Sequence, residues 1–211
     1  MKIRIPLVIL ALVATLPACS IRQDYPDTRR WALEVRRDAP AREPAPDTRL
    51  VVTRFDISRR YEGEQMVYRL ADGTWESDFH HRFFVAPAEM IGEEAASWFR
   101  AARVTETVID ASSLVDATHG IEGTVTKLLG DYSKKDAPHA VVSMQLFGLG
   151  RSASGEVRIL VSAGYEKRVA VADRTSDALV DGWEQALREI FTDFEESFAA
   201  AVAGDGAGGA R

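Results

Sequence analysis

The sequence predicts an α/β (α+β) fold, a two-layer sandwich in which a mixed, largely antiparallel sheet is covered by two amphipathic helices. Three observations predict it. Apolar patterning runs β, β, hairpin, α, β, several β and a long α along the chain. Two segments carry the 3.6-residue period of a helix, each with a single apolar stripe. A sheet with one apolar face needs such a helical layer to cover it.

The opening segment MKIRIPLVILALVATLPA, residues 1–18, stands apart from that fold. Lys2 and Arg4 precede an apolar run over residues 5–16, shorter than the roughly 20 residues a membrane-spanning helix takes. This is the layout of a secretory signal. Residues 19–30, from Cys19 through the polar stretch SIRQDYPDTRR, read as a flexible tether. At ~3.3 Å per residue it reaches at most about 35 Å. The folded domain is expected over residues 31–200, and residues 201–211 as a disordered tail.

Within the domain, WALEVRR reads as a first strand with Trp31, Leu33 and Val35 on one face. DAPAREPAPD follows, and Pro40, Pro44 and Pro46 keep it out of helices and sheet interiors. RLVVTRFDISRRY opens with the continuous apolar run of a central strand. EQMVYRLADGTWESDFHHRFF reads as a hairpin with strands over 65–70 and 74–82. Its turn is Ala71, Asp72 and Gly73, because Asp-Gly tolerates positive φ.

APAEMIGEEAASWFRAA is a helix. Pro87 suits its first position, Glu89, Glu93 and Glu94 suit its positive end, and Ile91, Ala95, Trp98, Phe99 and Ala102 form its stripe. RVTETVID is a short strand, and the stretches HGIEGTVTKLLGDY, HAVVSMQLFGLG and GEVRILVSAGYEKRVAV supply three or four more. The last helix, in TSDALVDGWEQALREIFTDFEESFAAAV, lines up Leu179, Trp183, Leu187, Ile190, Phe194 and Phe198. Its acids, Asp181, Glu184, Glu189, Asp193, Glu195 and Glu196, are expected in solvent. Phe191 and Phe198 widen the stripe beyond one sheet face, leaving room for a partner protein or an acyl chain.

Charge narrows the function. Without Lys2 and Arg4 the chain has 24 basic and 32 acidic residues, a net charge near −8. An acidic chain with no basic run is ill suited to nucleic acid, where affinity rests on neutralised phosphates.

Catalytic motifs are incomplete. GRSASGEV matches the first half of a phosphate-binding loop, but Glu156 and Val157 stand where Lys and Ser/Thr are required, so a hairpin loop is expected. His80 and His81 are adjacent on a predicted strand and point to opposite faces. His119 and His139 have no spaced partners, and no G-x-S-x-G elbow occurs. The reading assigns no catalytic, cofactor-binding or metal-binding residue.

Leu16, Pro17, Ala18 and Cys19 have the spacing of a bacterial lipobox, and Cys19 is the single cysteine of the chain. A thiol takes a diacylglyceryl group as a thioether, and the small residue before it admits the signal peptidase. The freed amine then accepts a further acyl chain. Several chains make a stable anchor where one binds only marginally. Ser20 follows in place of the Asp that retains enteric-type lipoproteins at the inner membrane. The expected address is the periplasmic face of the outer membrane.

Over roughly 31–200 the chain resembles the ABC-type transport auxiliary lipoprotein family, the PqiC/YmbA-like group. The resemblance is carried by the lipobox at Cys19, by WALEV, by RLVVTRFDISRRYEGEQMVYR and by WESDFHHRFFVAPAEMIGEEAASWFRAARVTETV, together with the late β run and closing helix. It implies a non-enzymatic, homo-oligomeric accessory subunit docking a mammalian-cell-entry (MCE) domain protein and its ABC transporter (permease and ATPase) for lipid or hydrophobic-compound transport. The competing reading is an outer-membrane biogenesis or cell-wall assembly lipoprotein that binds a barrel or a peptidoglycan synthase. A periplasmic enzyme, the third class, requires a deep polar cleft with clustered acids or histidines.

Overall fold

The computed structural model describes residues 28–53, 55–152 and 154–208. The signal segment, Cys19 and most of the tether lie outside the described residues. The strands are β1 (Arg29–Trp31), β2 (Ala45–Val52), β3 (Asp56–Ile57), β4 (Gln65–Arg69), β5 (Trp75–Phe83), β6 (Thr105–Ile109), β7 (His119–Asp131), β8 (His139–Arg151) and β9 (Val157–Ala170). A 3-10 turn (Arg59–Tyr61) follows β3, and the helices are α1 (Pro87–Ala102) and α2 (Ser176–Gly208).

β7 is the spine of the sheet. One edge pairs with β8 along almost its whole length, antiparallel, and β8 pairs with β9 in the same sense. The other edge is served by three short strands in series, all parallel to it. β2 meets residues 119–121, β3 meets Thr124 and Val125, and β4 meets Gly130 and Asp131. Beyond β2 lies β6, and beyond β4 lie β5 and then β1. The sheet is thus mixed: the β4–β5, β7–β8 and β8–β9 pairings are antiparallel and the others parallel, in keeping with the sandwich expected from sequence.

The predicted hairpin is β4–β5. Gly73 takes φ 84°, and the Asp72 carboxylate accepts from the Thr74 amide at 2.9 Å, fixing the turn. α1 starts with Pro87 at its first turn and buries Ile91, Ala95, Trp98, Phe99 and Ala102, the predicted stripe. It ends at Arg103, a non-glycine at φ 55° whose amide donates to the Phe99 carbonyl. GRSASGEV is the loop between β8 and β9, with Gly155 at φ 88°.

α2 lies against β8 and β9 and completes the core with Trp183, Leu187, Ile190, Phe194 and Phe198, all fully buried. Phe198 packs edge-on to Phe99 and stacked on Phe194. Gly148 of β8 makes this possible, since a Cβ there would stand 2.5 Å from the Phe198 ring. Phe55 lies over Gly123 of β7 for the same reason.

Four features differ from the sequence reading. WALEVRR is a strand only at Trp31; residues 32–37 are extended without a ladder partner. Their alternation is real, since Leu33 and Val35 are buried, but the surface they bury against is the helical layer. The wide stripe of α2 leaves no opening: Phe191 is buried against the Trp98 ring of α1. Glu195 is buried at 4% exposure, not in solvent. Finally, α2 runs to Gly208, past residue 200, and Val202 is still buried in the core.

The Gly148 contact yields the first prediction. Gly148→Ala forces the Phe198 ring out of its place and lowers stability by about 1–3 kcal/mol, as overpacking does. The change is read as a lower urea midpoint with an unchanged slope.

Candidate functional site

Two arrangements in this fold gather polar chemistry: the tie that holds the N-terminal segment, and a cationic cavity on the face of the sheet away from the helices.

The segment after β1 crosses the helical layer as a strap. An extended chain without a sheet partner must find acceptors for its amides, and here two carboxylates supply them. The Val35 amide donates to Glu94 Oε2 of α1 at 2.6 Å, and the Glu34 amide donates to Glu184 Oε1 of α2 at 2.9 Å. Arg188 Nε of α2 donates to the Arg36 carbonyl at 3.1 Å. Burial raises the carboxyls of both Glu94 and Glu184 above their ordinary range, with the strap amides opposing it.

Glu195 then clamps the end of the strap. Arg37 forks onto both its oxygens, Nε to Oε2 at 2.8 Å and Nη2 to Oε1 at 3.0 Å. Arg42 Nε donates to Oε1 at 2.7 Å, and the Trp98 indole donates to Oε2 at 2.9 Å. The side chains of Arg37 and Glu195 are each 5% exposed, whereas Arg42 is 42% exposed and adds less. Arg37 spends its remaining donors on the Ala39 and Pro40 carbonyls. Burial pushes the Glu195 carboxyl up, but the hydrogen bonds from Arg37 and Arg42 and the charge of Arg37 outweigh it, leaving the pKa below its ordinary value. Trp31 closes the other end of the strap, its indole donating to Asp177 of α2 at 2.7 Å.

The cavity has a volume of about 420 Å³. Its floor is Leu129 of β7 and Val141 of β8, which are register partners, and Arg168 of β9 stands opposite Val141 in the same row. Arg69 of β4 pairs in register with Asp131 of β7 on one side and with Trp75 of β5 on the other. Arg60 of the 3-10 turn lies over the Trp75 ring, 4.1 Å from its centroid. Lys127 completes the cationic lining, and Ser58 and Thr126 add hydroxyls.

Asp131 is the sole acid among those lining residues. It is buried, accepts from Arg168 at 2.8 Å and from the Ser133 amide at 3.0 Å, and sits at a pKa of about 2. Burial would raise it; the bonds from Ser133 and Arg168 prevail. Lys127 is bonded at 2.6 Å to Glu166. Arg60 and Arg69 have no carboxylate partner among the described residues.

The histidines singled out from sequence do not converge. His80 and His81 belong to a bulge, since the β4 register jumps from Met66↔Asp78 to Gln65↔Arg82. Asp78 caps that bulge, accepting from the amides of His80 and His81 and from His81 Nδ1 at 2.7 Å. His119 is buried. Its Nδ1 lies 2.9 Å from the Thr118 hydroxyl, while its Nε2 is 3.6 Å from Asp205 Oδ2, too long for a hydrogen bond. Desolvation, then the nearby Arg158 charge, lowers its pKa, so the ring is neutral at pH 7. His139 Nδ1 lies 2.8 Å from the Ala137 carbonyl. Among the described residues no three His, Cys, Asp or Glu side chains are grouped to hold a metal ion. No helix among them is long and apolar enough to cross a membrane.

Sequence reasoning missed both arrangements. The cavity draws on residues from six separated segments, which no local motif encodes. Glu195 did carry a signal: it falls four residues after Phe191 and three before Phe198, inside the apolar stripe.

A crystal structure of the Xanthomonas campestris protein XCC0632, described under the family model DUF330, shares this fold. The TM-score is 0.69 at 16% identity, covering 84% of this chain and 98% of that one. A second crystal structure, of an uncharacterized protein, aligns at TM-score 0.61 and 12% identity over 80% and 96%. At such identities the likeness is one of fold. No family model matches the sequence, and no curated protein does.

The tie is testable. Glu195→Ala leaves Arg37 buried without a counter-charge and is expected to cost about 3–5 kcal/mol. Glu196→Ala, at its exposed neighbour, stays within about 0.5 kcal/mol. Because the folded pKa of Glu195 lies below its ordinary 4.5, its stabilisation is complete above that value and is lost as pH falls through the lowered one. Urea midpoints at about pH 7 and about pH 3 therefore differ less in Glu195→Ala than in the wild type.

Proposed function

We propose that the protein is a lipid-anchored, non-enzymatic lipoprotein of the periplasmic face of the outer membrane. In this reading it serves as accessory subunit of an MCE/ABC-type system that moves lipids or other hydrophobic compounds. The observation that carries the reading is the Leu16-Pro17-Ala18-Cys19 motif standing directly before a domain of this fold.

The strap supports it. A domain held by a lipid at Cys19 takes any pull from the membrane through its N-terminal segment. Here that segment is fixed within a few residues of the fold's first strand, by Trp31 to Asp177, by Glu34 and Val35 to the two helices, and by Arg37 to Glu195. The helices to which it is fixed are the core-forming elements. The strap keeps a pull on the tether from peeling the N-terminal segment off the fold, which a docking subunit held through that segment requires.

Two experiments test the two halves. Metabolic palmitate labelling marks the wild type and is absent from Cys19→Ser; label that persists in the variant refutes the anchor. Affinity purification of the full chain, cross-linked in the envelope and then detergent-solubilised, is expected to bring down an MCE-domain protein with its permease and ATPase. Recovery of an outer-membrane barrel or a peptidoglycan synthase in their place would shift the assignment to envelope assembly.

A further inference from the structure

The geometry points to a binding site for a phosphate-bearing ligand in the cavity between the 3-10 turn and strands β7–β9, with Arg60 and Arg69 as its principal contacts. This site is separate from the anchor and does not depend on the transport reading.

The charge balance carries the argument. The chain as a whole has a net charge of −6, yet Arg60, Arg69, Lys127 and Arg168 converge on one cavity whose sole acidic lining residue is Asp131. That acid is spent on Arg168 and Ser133. Lys127 is shared with Glu166 at the rim. Arg60 of the 3-10 turn and Arg69 of β4 are left to face the cavity without a carboxylate partner among the described residues, and like charges lining one cavity repel one another. An anion bound between them removes that repulsion.

The chemistry of the cations selects the anion. A guanidinium presents paired N–H donors that match the oxygens of a phosphate, and such charge-assisted pairs are among the stronger hydrogen bonds. Ser58 and Thr126 supply hydroxyl donors at the same wall. The volume falls in the range of small-ligand sites, about 300–1,000 Å³. Trp75 is 42% exposed and already carries Arg60 on its ring, so it offers an apolar surface beside the phosphate position. A phosphate ester with a short organic moiety fits this combination, whether it is a free ester or the headgroup of a phospholipid.

Isothermal titration calorimetry of the full chain, purified in a non-ionic detergent, tests the site with three probes: sn-glycerol-3-phosphate, short-chain dihexanoylphosphatidylglycerol and acetate. The two phosphate compounds are expected to bind and to change Trp75 fluorescence, and acetate is expected not to. Arg60→Ala and Arg69→Ala each weaken binding roughly ten- to hundredfold, with unfolding midpoints unchanged because both side chains are exposed. Arg69→Lys retains charge without the fork and falls between. Tighter binding of the lipid identifies a headgroup site; tighter binding of glycerol-3-phosphate identifies a site for free phosphate esters. Binding that survives both Arg→Ala changes, acetate binding as tight as phosphate, or no heat with either phosphate compound would overturn the proposal. Arg100→Ala, a surface arginine of α1 outside this cavity, is the control and leaves binding intact.

Discussion

The carboxylate of Glu195 is the point at which three parts of the molecule are held in one place. It belongs to α2, it accepts from Trp98 of α1, and it receives Arg37 and Arg42 from the strap. A buried carboxylate with no partner would be prohibitive, so its presence in an aromatic-lined interior demands that all three donors be positioned together. The angle between the helices, the placement of Trp98 against Phe191 and the course of the strap are consequently not independent choices. A hydrophobic residue at 195 would avoid that desolvation cost, yet would leave Arg37 and the end of the strap without a partner.

On the other face of the sheet the governing constraint is the length of β7. A strand of 13 residues presents more edge than any one of its parallel neighbours can cover, so β2, β3 and β4 divide it among them. Between β3 and β4 the chain must bridge from one portion of that edge to the next, and it does so with the 3-10 turn. That bridge brings Arg60 above Trp75 and creates the wall of the cavity. The cationic cluster is thus a product of how the sheet divides, with Arg69 and Arg168 delivered by strands on either side of β7.

Much of the fold was legible because its signals are local. Asp72-Gly73 specified a turn, Pro87 a helix start, and the stripes of α1 and α2 a buried face each. The strap was not legible as such, since Trp31, Leu33 and Val35 alternate identically whether an extended chain pairs with a strand or lies across helices. Hydrogen-bond partners separate these cases, and here they are the side chains of Glu94 and Glu184, which look on a helical wheel like solvent-facing acids. Residue type alone puts Glu195 in solvent with the other acids of α2, although its position between Phe191 and Phe198 places it on the buried face. The cavity was beyond reach, because Arg60, Arg69, Lys127 and Arg168 meet only after the sheet has formed.

The strap also sets an order of events during folding. Arg37 and Glu195 are 158 residues apart in sequence, and contacts of such separation form late because the intervening chain must first be ordered. In a polypeptide made from its N-terminus, the first segment of the domain to be synthesised is therefore among the last to be fixed. Until α2 docks, Leu33 and Val35 have no completed surface to cover, and the segment from Trp31 to Arg37 lacks its bonds to Asp177, Glu184 and Glu195, keeping the register pairs of β1 with β5 and the Val35 bond to Glu94 of α1. Completion of the final helix is what locks the strap from Trp31 to Arg37 across both helices.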